Sequence, residues 1–171
     1  IAAGMTFVIL TAGIDLSVGS VLAFSGAIIG GLLSTGRPLL LGIGAGLLLG
    51  AALGLVNGLI VTRGGVQPFI ATLGMLTIAR GATLVYTDGR PITGLPDAFV
   101  WLGAGEIARI PVPVIIMALV FGLAAAVLRQ TVLGRYVYAI GGNEEAARLS
   151  GVNVTLHKTA VYAIGGLLSA V

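Results

Sequence analysis

The stretch from Pro38 to Val61 contains no charged side chain, and Asn57 is its only strongly polar residue. About 20 apolar residues, each rising about 1.5 Å along a helix, are enough to cross the hydrocarbon core of a bilayer. Backbone groups cannot bond to lipid, so an apolar run of this length must satisfy its hydrogen bonds internally, as a helix does. A barrel strand would instead alternate polar and apolar residues over about ten positions. The run therefore predicts a transmembrane helix.

Comparable runs recur along the whole chain, and they predict an all-α fold, a polytopic bundle of transmembrane helices. Charged residues make up 9% of the sequence, against roughly 25% in soluble domains, so most of the surface must face lipid or protein. We expect residues 1–171 to form one transmembrane domain, truncated at both ends because each end lies within an apolar run. The predicted spans are the end of one in Ile1–Ile14, then Leu16–Leu33, Pro38–Val61, Phe69–Tyr86 and Val112–Leu128, and the start of a sixth in Ala160–Val171.

Two longer connections, Thr87–Pro111 and Arg129–Lys158, fix the expected orientation. Basic residues near the ends of spans favour the cytoplasmic side. The second connection is the more basic, so we place residues 129–158 in the cytoplasm and residues 87–111 outside. With alternating spans, the predicted cytoplasmic basic residues are Arg63, Arg129, Arg135, Arg148 and Lys158, and the predicted outer ones are Arg37, Arg90 and Arg109.

Glycine recurs at every fourth position of the third span, at Gly42, Gly46, Gly50, Gly54 and Gly58. Such a row forms a smooth ridge on one face of a helix and lets a second helix approach closely. We interpret the ridge as a helix-packing surface within the subunit; a subunit interface or a pore-lining surface is the alternative.

Five polar residues in or beside the spans are candidates for a solute pathway. Asp15 lies between two apolar runs, where it would cap the next helix, and a place beside the pathway is compatible with that role. Arg80 lies within the fourth span, where a charge is costly unless it faces protein or water, or reaches the membrane surface. Asn57, Gln67 and Thr72 are weaker candidates.

The segment from Asn143 to Ser150 carries clear start and stop signals for a short helix. Asn143 suits an N-cap position, and Glu144 with the next residue places negative charge in the first turn. Glu144 and Arg148 are spaced for an ion pair, and Gly151 suits the position after the helix. A helix this short needs a surface to pack on, supplied by this chain or by a partner. The candidate coupling residues are Asn143, Glu144, Glu145, Ala146, Ala147, Arg148, Leu149 and Ser150.

Several functional classes find no support in the sequence. The chain has no cysteine and one histidine, His157, so a thiolate or histidine metal cluster and a Ser/His/Asp triad are not expected. It lacks a phosphate-binding loop and a dense basic face, so neither nucleotide hydrolysis nor nucleic-acid binding is expected. We expect a protein without catalytic residues, metal or cofactor.

Three motifs together resemble the ribose-type sugar ABC permeases, which belong to the family shared with branched-chain amino-acid permeases. They are Gly13–Ser20, then Pro68–Met75 with Arg80 and Gly81, and finally Gly134–Asn143 continuing through Ala146–Asn153. The resemblance implies a permease subunit of the inner (plasma) membrane that imports a ribose-like monosaccharide by alternating access. It implies a cytoplasmic ABC ATPase that contacts residues 143–150, a periplasmic sugar-binding protein, and a second permease copy or a paralogue.

Other functions stay open from the sequence alone. An ion-coupled secondary transporter also uses broken helices and polar groups within the membrane. A structural or assembly membrane protein would also suit the glycine ridge. Within the resembling family, a permease for nucleosides or branched-chain amino acids is the alternative to one for a sugar.

Overall fold

The computed structural model describes residues 1–171 and is almost entirely helical, which confirms the predicted all-α bundle. A single pair of short antiparallel strands, β1 (Glu106–Ile107) and β2 (Ile110–Pro111), lies between the fifth and sixth helices. The helices are α1 (Ala2–Leu10), α2 (Val18–Ser34), α3 (Leu39–Thr62), α4 (Pro68–Thr87), α5 (Asp97–Ala104), α6 (Val112–Gln130), α7 (Val132–Gly142), α8 (Glu144–Leu149) and α9 (Val154–Ser169).

Helices α3, α4 and α6 are long and apolar enough to cross a membrane, and α2 is an apolar helix of 17 residues. All four begin and end within about two residues of the predicted spans, a normal uncertainty for helix ends. Pro38 is the N-cap of α3 rather than a residue of its first turn. The largest difference is at α9, which begins at Val154 instead of Ala160, because the Asn153 side chain caps it by accepting the Leu156 N–H at 3.0 Å.

The glycine ridge of α3 packs against two neighbouring helices of the same chain. Gly46 faces Ile29 of α2, whereas Gly54 faces the Tyr162 carbonyl oxygen of α9 and lies against Gly166. A Cβ atom built on Gly54 would lie 3.0 Å from the Gly166 Cα atom, so the two backbones are in direct contact. The ridge is therefore a packing surface within the subunit, as the sequence predicted.

The two ends of the bundle are built differently. At one end, here named the α8 end, Phe7 of α1, Leu128 of α6, Val137 of α7 and Tyr162 of α9 form a buried cluster, and Val61 of α3 packs against it. The C-terminal ends of α3 and α6 therefore lie together, as alternation of the spans requires.

The opposite end is formed by the C-terminal halves of α2 and α4 and the segment after α4. A Cβ atom built on Gly30 of α2 would lie 3.4 Å from the Ile92 side chain, and one built on Gly31 would overlap the Tyr86 hydroxyl of α4. The segment 88–96 thus covers part of the gap between these two helices.

Candidate functional site

The chain between α1 and α2 is a break in the helical backbone that neighbouring groups hold in place. Ala12 adopts a left-handed conformation with φ of +55°, and the Gly13 N–H closes α1 by donating to the Val8 carbonyl oxygen at 3.0 Å. The Tyr162 hydroxyl of α9 donates to the Ile14 carbonyl oxygen at 3.3 Å. The break is therefore tied to α9.

Asp15 does not cap α2 directly, so the predicted capping position is wrong by two residues. The N-cap is Ser17, and the Asp15 Oδ1 atom accepts the Ser17 N–H at 2.8 Å and the Ser17 O–H at 2.6 Å. An aspartate readily accepts such bonds from the residue two positions on, forming a turn that precedes the helix. The carboxylate thus fixes the residue at the helix start rather than the first turn itself.

Ser17 also joins the break to α3. The Asn57 Nδ2 group donates to the Ser17 Oγ atom at 2.9 Å, so Asp15, Ser17 and Asn57 form one hydrogen-bonded unit. Asp15 is 3% exposed and Asn57 is completely buried. The Asn57 Oδ1 atom has no hydrogen-bond partner. The structure therefore brings together two of the five pathway candidates, and it places both in the interior.

The other three pathway candidates lie apart from this unit. Thr72 is fully buried in α4, and its hydroxyl donates to the Pro68 carbonyl oxygen at 2.8 Å. Gln67 is exposed at the start of α4 and makes no capping bond. Arg80 is exposed on α4 and forms neither a hydrogen bond nor an ion pair, since both ion pairs of the chain involve Glu144. A pathway role for any of the five stays a prediction.

Helix α8 has the start and stop signals that the sequence predicted. The Asn143 Oδ1 atom accepts the Ala146 N–H at 2.9 Å, and Gly151 has a φ of +86° after the last turn. The Glu144 carboxylate binds Arg148 at 3.1 Å and Lys158 of α9 at 2.9 Å. One carboxylate therefore ties α8 both to itself and to the helix that follows.

Helix α8 buries one side chain against this chain and leaves most of its surface exposed. Ala147 is buried against Ile140 of α7 and Val154 of α9. In contrast, Leu149 is 81% exposed, and Ala146 and Glu145 are also exposed. The chain itself thus supplies the surface on which this short helix rests, while an apolar side chain points away from that surface.

Helix α7 was missed by sequence reasoning because it is too short to be recognised as a span. Its buried residues Gly134, Val137 and Ile140 recur every third position, which is the pattern of an amphipathic helix. The Thr131 side chain caps its start by accepting the Gly134 N–H at 3.3 Å. The spacing of these residues and the capping threonine are both visible in the sequence. They predict α7, the helix on which α8 packs.

No part of the structure gathers three or more His, Asp or Glu side chains in a way that suits a metal ion. A cavity of about 670 Å³ is lined by residues of α1, α2, α3, α5, α6 and the end of α9, and 16 of its 19 lining residues are hydrophobic. This cavity therefore offers little to a polar solute.

Comparison with known proteins gives a match along the full chain. The family model described as the permease component of the branched-chain amino acid transport system matches residues 1–171. The ribose import permease proteins of Haemophilus influenzae and Bacillus subtilis are 54% and 55% identical, each over 99% of this chain and 54% and 53% of their own lengths. The D-allose transport system permease protein of Escherichia coli is 41% identical over 98% of this chain and 52% of its own length.

The chain spans about half the length of the curated relatives it matches. All of these relatives are named as transport permeases. No solved structure gives a significant match to the chain. Together with its membrane-spanning helices, the match identifies a multi-pass protein of the inner (plasma) membrane.

Proposed function

This chain belongs to the family of permease components of the branched-chain amino acid transport system, and we propose that it forms part of the membrane subunit of an ABC importer for a ribose-like monosaccharide. The identity to permeases named for ribose import exceeds that to the permease named for D-allose. Both groups support a sugar over a nucleoside or an amino acid. In this proposal the energy comes from ATP hydrolysed by a separate cytoplasmic subunit.

The observation that carries the proposal is the construction of α8. Its inner side is fixed by Ala147 and by the Glu144–Lys158 ion pair, whereas Leu149 projects outward from the same short helix. A rigidly mounted element with an exposed apolar side chain suits docking into a pocket of a partner protein. An ion-coupled transporter has no need of such an element. The partner that fits is a cytoplasmic ABC ATPase.

The mounting of α8 also suggests how motion would pass into the membrane. Helix α8 packs on α7, and the end of α7 packs on the end of α1, because a Cβ atom built on Gly141 would overlap the Leu10 carbonyl oxygen. Directly after α1 comes the break that holds Asp15. A displacement of α8 by the ATPase would therefore reach the broken helix through the packed contacts of α8 with α7 and of α7 with α1. Alternating access would follow if the break and α3 shift together.

The proposal includes two further partners. A periplasmic sugar-binding protein would deliver the solute to the end opposite α8, and a second permease copy or a paralogue would complete the passage. Delivery by a binding protein removes the need for tight binding within the membrane. The small number of polar side chains in the bundle supports weak binding of the solute within the membrane.

A disulfide or short-linker crosslink tests the docking of α8. The variant Ala146→Cys exposes one thiol on the free surface of α8, because Ala146 is exposed and its capping bond uses only the backbone N–H. In the full-length protein assembled with its ATPase, with no other reactive cysteine present, we expect a crosslink to single cysteines on that ATPase. We also expect the yield to change by about twofold or more when ATP binds.

The matched control is Ala147→Cys, one residue further along the same helix. Its side chain faces Ile140 and Val154, so it should crosslink at least tenfold less than Ala146→Cys. Equal yields at both positions would mean that the thiols report local unfolding. An assembled complex in which Ala146→Cys reaches no cysteine of the ATPase would refute the docking role of α8.

A further inference from the structure

An open cavity of about 440 Å³ lies between α2, α4 and the segment that follows α4, at the end opposite α8. Its α2 wall consists of small residues on one helix face, including Ala23 and Gly26. Its α4 wall carries Thr83 and Thr87, and Arg90 of the following segment also lines it. We name this cavity the outer vestibule. Its volume falls in the range of about 300–1,000 Å³ that is usual for small-molecule sites.

Arg80 does not itself line the outer vestibule, but it lies about one turn closer to the middle of the membrane on α4. Residues three, four and seven positions apart share one face of a helix, so Arg80 lies directly beneath Thr83, Leu84 and Thr87. Arg80 has no hydrogen bond or ion pair within the chain, and the Arg90 side chain has none either. Two guanidinium groups without a partner in the chain therefore lie near the outer vestibule, one on α4 and one in the segment after it.

Arg80 is poorly placed for contact with lipid. An arginine near the bilayer centre costs about 2.5–3.5 kcal/mol by insertion scales unless it reaches protein or water. Helical side chains lean toward the N-terminus of their helix. For Arg80 that direction leads away from the nearer membrane surface, which lies about 10 Å along α4 at Thr87, given about 1.5 Å per residue. A water-filled passage would stabilise this charge.

We propose that the outer vestibule receives the solute from outside, and that Arg80 and Arg90 bind its hydroxyl groups as it moves along α4. The inference rests on the proposed function and adds to it a solute-binding strip at the outer mouth of the passage. A neutral polyol suits the chemistry, because guanidinium groups can donate several hydrogen bonds to its oxygen atoms. The Thr83 and Thr87 hydroxyls already donate to backbone carbonyl oxygens, so they can accept hydrogen bonds from the hydroxyl groups of the polyol. The larger apolar cavity offers no such groups.

Thiol accessibility tests whether the outer vestibule is open to water from outside. In the full-length protein in vesicles, with no other reactive cysteine, we expect a membrane-impermeant maleimide added outside to label Thr83→Cys. The control Ala79→Cys lies one turn deeper along α4, where the side chain is almost completely buried, and it should label at least tenfold more slowly. Failure of Thr83→Cys to label would overturn the proposal. So would a disulfide between two copies at this position, which would show a permease interface instead.

Filling the outer vestibule tests its role in import. Ala23→Leu adds bulk to the α2 wall at an exposed position, and we expect import of labelled D-ribose by the complete transporter to fall at least tenfold. The matched control Ala52→Leu changes an exposed alanine of α3 that lines neither cavity, and it should keep at least half of the import. Normal import by Ala23→Leu would overturn the proposal.

Charge variants separate solute binding from packing. Arg80→Gln should lower import about tenfold or more, mainly through a higher half-saturating concentration of ribose-loaded binding protein, and Arg80→Lys should restore part of it. Equal import by all three would exclude Arg80 from the passage. If the unmodified transporter imports no ribose, the proposed function fails, and the labelling of Thr83→Cys still decides whether the outer vestibule is open.

Discussion

Gly54→Val is expected to prevent stable folding of the bundle. A Cβ atom at this position would overlap the Tyr162 carbonyl oxygen and lie 3.0 Å from the Gly166 Cα and N atoms. These are backbone atoms on a helix, so they cannot move aside as the tip of a side chain can. Overpacking of well-packed sites usually costs about 1–3 kcal/mol, and we expect the upper end of this range or more. The contact between α3 and α9 would open along its length.

The measurement is the thermal unfolding midpoint of the full-length protein in detergent, together with the amount of folded protein in the membrane. We expect Gly54→Val to lower the midpoint by 5 °C or more, on the order of the shift that such a loss produces, and to lower the amount several-fold. Gly44→Val is the matched control, because it makes the same change on the same helix where nothing lies within 4 Å of the new Cβ atom. Similar losses in both variants would show that valine itself disfavours α3, not the contact with α9.

The sequence predicted those features that depend on residues close together along the chain. The spacing of Gly42 to Gly58 predicted the ridge of α3, and the apolar runs predicted the bounds of the long spans to about two residues. The capping and charge signals from Asn143 to Gly151 predicted α8 in detail, including the Glu144–Arg148 ion pair. Each of these features depends on residues a few positions apart, so the sequence alone is enough to predict it.

Features that depend on distant residues were not predictable in the same way. The partner of the glycine ridge is α9, whose Gly166 lies against Gly54, and nothing in the spacing of α3 identifies it. The bond from Asn57 to Ser17 joins residues 40 positions apart, so Ser17 could not be recognised as the link between Asp15 and α3. Burial of Asp15 and exposure of Arg80 also depend on packing, since both are single charges among apolar residues.

Asn57→Asp is expected to destabilise the protein far more than its small change in shape suggests. The new carboxylate would lose the donor that Asn57 gives to Ser17 and would place a charge within the buried unit that holds Asp15. The position is fully buried, and no basic residue pairs with Asp15. Leaving a buried charge without a partner costs about 3–5 kcal/mol. The break between α1 and α2 should then separate from α3, and import should be lost with it.

Asn57→Leu is the control that separates charge from packing. Leucine has a similar size, removes the unpartnered Oδ1 atom, and leaves Ser17 free to donate to Asp15. Loss of one hydrogen-bond donor should cost about 1 kcal/mol, so the unfolding midpoint should fall much less than in Asn57→Asp. If both variants are destabilised equally, the shape of the amide matters and the charge does not. If Asn57→Asp is as stable as the unmodified protein, water reaches this unit. That result would favour the predicted place of Asp15 and Asn57 beside the passage.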